Sequence, residues 1–378
     1  AGVYKNAVER GFDKVYGMLH GIQGLLKEKY IDLSDHIKTE LDAELLKRTP
    51  AAFLGSCRYK LPEIHENREV YDKIFEILDK LDIEVFIYIG GNDSMDTIKK
   101  LSDYAIIFGH AIRFIGCPKT IDNDLALTDH TPGYGSAAKY IGTSMKEIIR
   151  DSFCLEYEKG VVSIVEIMGR NAGWITAASA LARRKKGDAP HLIYVPERPF
   201  HEDEFLEDVE RLYKEKGGVV VVASEGLTNV NGESIVPPIF KSDRAVYYGD
   251  VSAYLAELVI KKLGIKARSE KPGICGRASI ALQSPVDRAE AILVGELAVK
   301  AVTSGNGGHM IGFKRQPGDI YQVEPVLVPL KDVMLYERKL PEAYINERGN
   351  DITDEFVKWC EPLIGGPLPE FLNFRDYI

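Results

Sequence analysis

From residue 84 onward the chain alternates between two hydrophobic rhythms. "EVFIYIGG" (84–91) is an almost unbroken apolar run that closes on two glycines. Such a run predicts a strand buried on both faces of a parallel sheet. "SMDTIKKLSDYAIIFG" (94–109) changes to a helical period, with Ser94 placed to cap it. The pattern then repeats. "AIRFIGC" (111–117), "GVVSIVEIMG" (160–169), "HLIYVPE" (191–197), "GVVVVASEG" (218–226) and the short "IKARSEKPG" (265–273) read as strands. Between and after them, 136–157, 171–187, 202–217, 250–264 and 284–305 read as helices; 171–187 places basic residues in its last turn, where they oppose the helix dipole.

Alternation of this kind predicts βαβ units, parallel sheet and helices on both sheet faces. Ligands of such sheets bind at the carboxyl ends of the strands. The polar clusters fall there: "GGNDS", "PKTIDND", "MGRN" and "SEG" each follow a strand directly. Turn formers in "TDHTPGYGS" (128–136) suggest a domain break. After about residue 316 the alternation fades and proline increases, which reads as an appended C-terminal region. Residues 1–28 open in helix with no strand ahead of them, so a first strand and its glycine turn are expected to precede residue 1.

Composition narrows the partners. The 378 residues carry 57 acidic and 48 basic side chains, a net charge of −9, which disfavours nucleic acid while leaving room for a local anion site. No apolar run is long enough to cross a membrane and no signal peptide opens the sequence, so a cytoplasmic protein is expected. Five scattered cysteines without a CxxC pair read as free thiols, and the histidines lack metal-ligand spacing.

The chemistry concentrates in a few stretches. In "GGNDS" (90–94), Gly91 and Ser94 open a helix whose amide groups can face a phosphate; a tight, hydrophilic turn would look the same. "PKTIDND" (118–124) offers more. Phosphoryl transfer needs a base for the attacking hydroxyl, carboxylates for a metal ion and cations for the developing charge. Asp122 and Asp124, two apart on an extended segment, would point the same way, with Lys119 and Thr120 just upstream. A surface Asx turn would account for "DND" but not for the lysine and threonine before it. Arg170 in "EIMGRN" suits bidentate phosphate binding, although alone it also fits a surface arginine. "GYGSAA" (133–138) matches a dinucleotide fingerprint but lacks the strand that should precede it, and no P-loop motif is present.

Taken in order, "FLGSCR", "GGNDS", "PKTIDND", "VEIMGRNAGW" and "SEG" resemble the phosphofructokinase family, over residues 1 to about 314. The resemblance implies an α/β protein of two doubly wound parallel-sheet domains, with the active site in the cleft between them and a C-terminal extension. Its phosphoryl-donor domain would take residues 1–130 with roughly 255–304. Its fructose-6-phosphate domain would take 131–254 with roughly 305–378. The implied reaction moves a phosphoryl group to the 1-hydroxyl of fructose 6-phosphate with Mg²⁺. By motif, Asp122 resembles the catalytic base, Thr120 a neighbour of the attacking hydroxyl and Lys119 a group reaching the transferred phosphate. Asp124, with Asp93 and Asn92, would hold the metal. Arg58, Gly91, Asp93, Ser94 and Lys119 would hold the donor. Met168, Gly169, Arg170 and Glu225 would bind the sugar, and Arg268 and Arg277 its 6-phosphate. The family also implies a homodimer or homotetramer.

Two positions speak to the donor. ATP-using members have glycine where this chain has Asp93 and Lys119; pyrophosphate-using members carry Asp and Lys there. A carboxylate at Asp93 would repel the α-phosphate of a nucleotide, and the Lys119 ammonium offers a point charge to pyrophosphate. Pyrophosphate is therefore the expected donor. An ATP-dependent enzyme and a catalytically silent sugar-phosphate sensor are the alternatives, the second disfavoured because Asp122 is kept. Departures from the pattern include Asn92 where many members have Asp, Val161 where bacterial ATP enzymes have arginine, and Ile274 where histidine is usual.

Overall fold

A computed structural model describes residues 1–154, 159–242, 245–334 and 336–372. Along the chain the main elements are α1 (Arg68–Lys80), β1 (Val85–Gly90), α2 (Asn92–Phe108), β2 (Arg113–Pro118), α3 (Tyr134–Cys154), β3 (Val162–Ile167), β4 (Leu192–Tyr194), α4 (Glu202–Lys216), β5 (Val219–Ser224), α5 (Val251–Leu263), β6 (Ala267–Glu270), α6 (Pro285–Thr303), β7 (His309–Arg315) and β8 (Val323–Pro329). The chain divides into two compact units, Ala1–Gly133 with Asp287–Arg338, and Tyr134–Val286 with Lys339–Ile378. The first crossing lies near the expected one. The later two differ: α5, β6 and the residues up to 286 belong to the second unit, and β7 and β8 to the first.

The first unit's sheet runs β8-β7-β2-β1. β1, β2 and β7 are parallel, and β8 adds an antiparallel edge. The apolar run of β2 is buried on both faces, whereas β1, the last strand on its side of the described sheet, is half-buried with Ile89 exposed. Phe86, Phe114 and Met310 face the core built with α1 and α2. Ile87, Ile115 and Ile311, next along the same strands, face Val294, Ala298 and Val302 of α6. β8 was expected only as part of an irregular extension. Its prolines, Pro325 and Pro329, suit an edge strand, where a missing N–H costs least.

The second unit's sheet runs β6-β3-β5-β4, all parallel. Val162, Ile164, Val219 and Val221 meet Phe205 and Val209 of α4 and Leu255 and Val259 of α5. The C-terminal segment completes the core of this unit, where Trp359 packs 4.9 Å from Trp174. Helix 171–187 is replaced by one turn, Trp174–Ala177, and a 3₁₀ turn, Ala178–Ala182. All these residues are buried, and Arg183 leaves the helix in extended backbone to donate to the Pro190 carbonyl at 2.9 Å. Packing overrides the alanine-rich helical propensity. Of the helix expected over 136–157, residues 155–157 lie outside the described ones. A short hairpin, Pro238–Ser242 with Ala245–Tyr248, escaped the sequence reading.

Candidate active site

In the first unit β1 and β2 are paired neighbours in register, Gly90 opposite Pro118. Their carboxyl ends therefore open side by side, and the Lys119 amide donates to the Gly90 carbonyl at 3.0 Å. α2 begins at Asn92 with Gly91 as its N-cap, not Ser94. Ser94 lies a turn further in, its amide donating back to Gly91. Glycine is required before it: a Cβ on Gly90 would stand 2.0 Å from the Ser94 Oγ. A Cβ on Gly91 would just touch Thr120. The "GGNDS" turn and the "PKTIDND" segment are thus in contact.

The two segments are joined by a polar pair. Asn92 Nδ2 donates to Asp124 Oδ2 at 3.3 Å. That leaves Asn92 Oδ1 and Asp124 Oδ1 buried without a hydrogen-bond partner. Burial pushes the Asp124 carboxyl above its ordinary range and the charge of Glu337 adds to this, while its own backbone and the neighbouring Thr120 and Asn92 pull against it. Two orphaned, hard oxygen atoms at strand ends fit a divalent cation. Among the described residues no cluster of three or more acidic, histidine or cysteine side chains could enclose a metal. Mg²⁺ is usually held by one or two protein oxygens with substrate phosphate and water. Asp93, by contrast, is exposed in the first turn of α2.

The segment 122–124 is not extended. Asn123 adopts φ +54°, a left-handed conformation that asparagine tolerates, and its buried Oδ1 accepts from the Thr131 amide at 3.0 Å. The alternation argument for Asp122 and Asp124 therefore does not apply; a bend, stabilised from behind by residue 131, sets their directions. The Asp122 amide donates to the Thr120 hydroxyl at 3.1 Å. The Arg338 amide holds the Asp124 carbonyl at 2.8 Å. The Tyr88 hydroxyl of β1 has its pKa pushed up to about 12 by burial; it and the Cys57 Sγ both border Gly21, and no described contact joins the exposed Arg58, next in the chain, to this segment.

In the second unit the ends of β3 and β5 are paired, Ile167 opposite Ser224. "MGR" and "SEG" follow them and interlock. Gly169 stands at φ +128°, its amide donates to Glu225 Oε1 at 3.2 Å, and its carbonyl accepts from the Ser224 hydroxyl at 2.6 Å. A Cβ on Gly226 would lie 1.8 Å from the Arg170 carbonyl oxygen. Met168 is half-buried and Arg170 exposed, its guanidinium 5.2 Å over the ring of Tyr248. Tyr248 carried no motif and was missed in sequence. Arg268 lies on β6, opposite Ser163 of β3. Lys271, also missed, pairs with the buried Glu166 at 2.9 Å and with Asp250 at 2.5 Å. Arg277 ends a short 3₁₀ turn, and no described contact joins it to Arg170.

Five cations, Arg58, Lys119, Arg170, Arg268 and Arg277, are exposed and make no ion pair within the described structure. In a chain with an excess of acid, exposed cations without an ion-pair partner among the described residues are available to anionic ligands.

Comparison with known proteins points the same way. The family model "Phosphofructokinase" matches residues 1–302. The chain is 37% identical over 381 residues to the pyrophosphate–fructose 6-phosphate 1-phosphotransferase of Rhodospirillum rubrum, covering 97% of this chain and 90% of that one. It is 38% identical to the enzyme of the same name from Xanthomonas campestris, over 98% of this chain and 88% of that one. The crystal structure of a pyrophosphate-dependent phosphofructokinase from Marinobacter aquaeolei superposes with a TM-score of 0.86 at 36% identity, covering 98% and 89% of the two chains.

Proposed function

The chain belongs to the phosphofructokinase family, and from that premise we propose that it moves a phosphoryl group reversibly between pyrophosphate and the 1-hydroxyl of fructose 6-phosphate, giving fructose 1,6-bisphosphate. Asp122 takes the proton of the attacking hydroxyl, with Thr120 beside it. Lys119 and Arg58 hold pyrophosphate along the Gly91–Ser94 turn, whose backbone amides open α2. Met168, Gly169, Arg170 and Glu225 bind the sugar, and Arg268 and Arg277 its 6-phosphate.

Family members work with a divalent metal; Mg²⁺ would be held here by Asp124 and Asn92, with Asp93 as a further candidate. When bound, Mg²⁺ supplies positive charge to the phosphoryl oxygens. Asp93 repels the α-phosphate of a nucleotide, and Lys119 attracts the compact pyrophosphate. The substrates are small phosphorylated metabolites and no helix among the described residues is long and apolar enough to cross a membrane. By resemblance to the family, the enzyme is proposed to be cytoplasmic and a homodimer or homotetramer.

The observation that carries this reading is the pair of buried, unpartnered oxygens of Asn92 and Asp124 beside the segment bearing Lys119 and Asp122. The names of the relatives support the choice of donor. The deciding experiment measures turnover of fructose 6-phosphate at fixed Mg²⁺ with pyrophosphate and with ATP. Turnover with pyrophosphate is expected; turnover with ATP alone would overturn the donor, and none with either would overturn the reaction.

A further inference from the structure

His130 has no part in the chemistry above, yet it is 1% exposed and sits between two carboxylates. Its Nδ1 lies 3.0 Å from Asp129 Oδ2 and its Nε2 2.7 Å from Glu290 Oε2. The other Glu290 oxygen accepts from the Tyr321 hydroxyl at 2.6 Å, and Arg315 reaches Asp129 at 3.0 Å. The imidazole stacks on Phe313 with 5.3 Å between centroids. Ionised carboxylates only accept, so both ring nitrogens must donate to satisfy this arrangement. The ring is then an imidazolium, and with Arg315 it balances Asp129 and Glu290.

The residue after it, Thr131, does the rest. Its hydroxyl donates to the Thr120 carbonyl at 2.8 Å and its amide to Asn123 Oδ1 at 3.0 Å. These two bonds grip the chain on either side of Asp122. Thr128 ties the same return segment to β7, accepting from the Phe313 amide at 2.9 Å and donating to the His130 carbonyl at 2.9 Å.

We infer that His130 is the positioning residue of the phosphoryl-transfer segment: by bridging Asp129 to Glu290 of α6 it clamps residues 128–133, and through Thr131 it sets the bend at 120–124. The inference rests on the proposed role of Asp122 and adds the part that holds it. Burial alone would drive the proton off His130; the hydrogen bonds and charges of Asp129 and Glu290 outweigh it and raise the pKa above the ordinary 6.5. With the folded value raised, the clamp is complete below pH 6.5 and is lost as pH rises through that higher value. Tyr321, raised by burial and by Glu290, stays a protonated donor.

Two variants test the clamp. In Glu290→Gln the shape is kept and one proton-holding charge is gone, so the alkaline limb of kcat shifts to lower pH while KM for both substrates changes little. In His130→Gln, kcat falls by about tenfold to a hundredfold, the scale of a small misplacement at a reacting centre, and amide exchange at Thr131 speeds up. Should His130→Gln fail to fold, the Glu290→Gln pH profile still decides. A folded Glu290→Gln whose alkaline limb coincides with the parent's, or a His130→Gln with parental kcat and Thr131 exchange, overturns the clamp. If the parent chain has no phosphotransferase activity, the reaction assignment fails instead. Exchange at Thr131 then still reports whether His130 holds the segment: an unchanged rate in His130→Gln overturns that too.

Discussion

The end of β2 in the first unit and the end of β3 in the second both bear the polar residues proposed to act, but they hold them in opposite ways. At 120–124 the oxygens of Asn92 and Asp124 are buried, and the chain is gripped by side chains from 128–133 and by the Arg338 amide. At 168–170 the backbone is what is locked: Gly169 and Gly226 are packed too closely for any Cβ, and the Arg170 side chain is left exposed. On the proposed reading, the difference follows the ligand. Hard oxygens meant for a metal ion gain from a low dielectric and a fixed geometry. A guanidinium meant for a sugar phosphate must stay hydrated and unpaired until the phosphate arrives, so only its base is fixed.

If that contrast is right, disturbance of the first segment should appear in kcat or in donor use, and disturbance of the second in KM for fructose 6-phosphate. The largest effect is expected from Asp122→Asn: kcat drops by about a hundredfold to ten-thousandfold while fructose 6-phosphate binding, read by calorimetry, hardly changes. A mild drop would return the protein to the sensor reading. Next comes the donor pair. Asp93→Gly with Lys119→Gly should lose about 1.5–3 kcal/mol of pyrophosphate binding, the worth of hydrogen bonds to a charged group, and gain some turnover with ATP. An unchanged donor profile breaks the account of both positions. Gly226→Ala forces a methyl against the Arg170 carbonyl and should cost about 1–3 kcal/mol of stability, with a raised KM for fructose 6-phosphate; denaturant midpoints and steady-state kinetics read the two. The smallest effect is Tyr248→Ala, which removes the ring under Arg170. It should raise that KM only a few-fold, since a cation–π contact at an exposed site is worth about 0.5–1 kcal/mol; a change in kcat instead would blur the contrast.

How far the sequence carried depends on the kind of residue. Gly90 and Gly91 after an apolar run announced the β1–α2 turn, and "MGR" and "SEG" announced the ends of β3 and β5, because a strand buried on both faces leaves only its tip for polar residues. His130 and Thr131 were legible only as turn formers, and Tyr248 and Arg338 gave no signal. Each acts through a neighbour brought near by the fold, across long stretches of chain. The bend at Asn123 was misread for the same reason: an extended segment is the local default, and the Thr131 amide that stabilises the left-handed residue lies further along the chain.

By itself, then, the order of hydrophobic periods determined the α/β class, the parallel strands and the strand ends at which chemistry would gather, since those depend on which faces of each element must be buried. Tertiary structure alone decided that Asn92 and Asp124 share a pair of orphaned oxygens, that residues 339–372 complete the second unit's core, and that an imidazole buried between two acids backs the segment carrying Asp122. Those outcomes rest on desolvation and on contacts between residues far apart in the chain, and neither leaves a local pattern in the sequence.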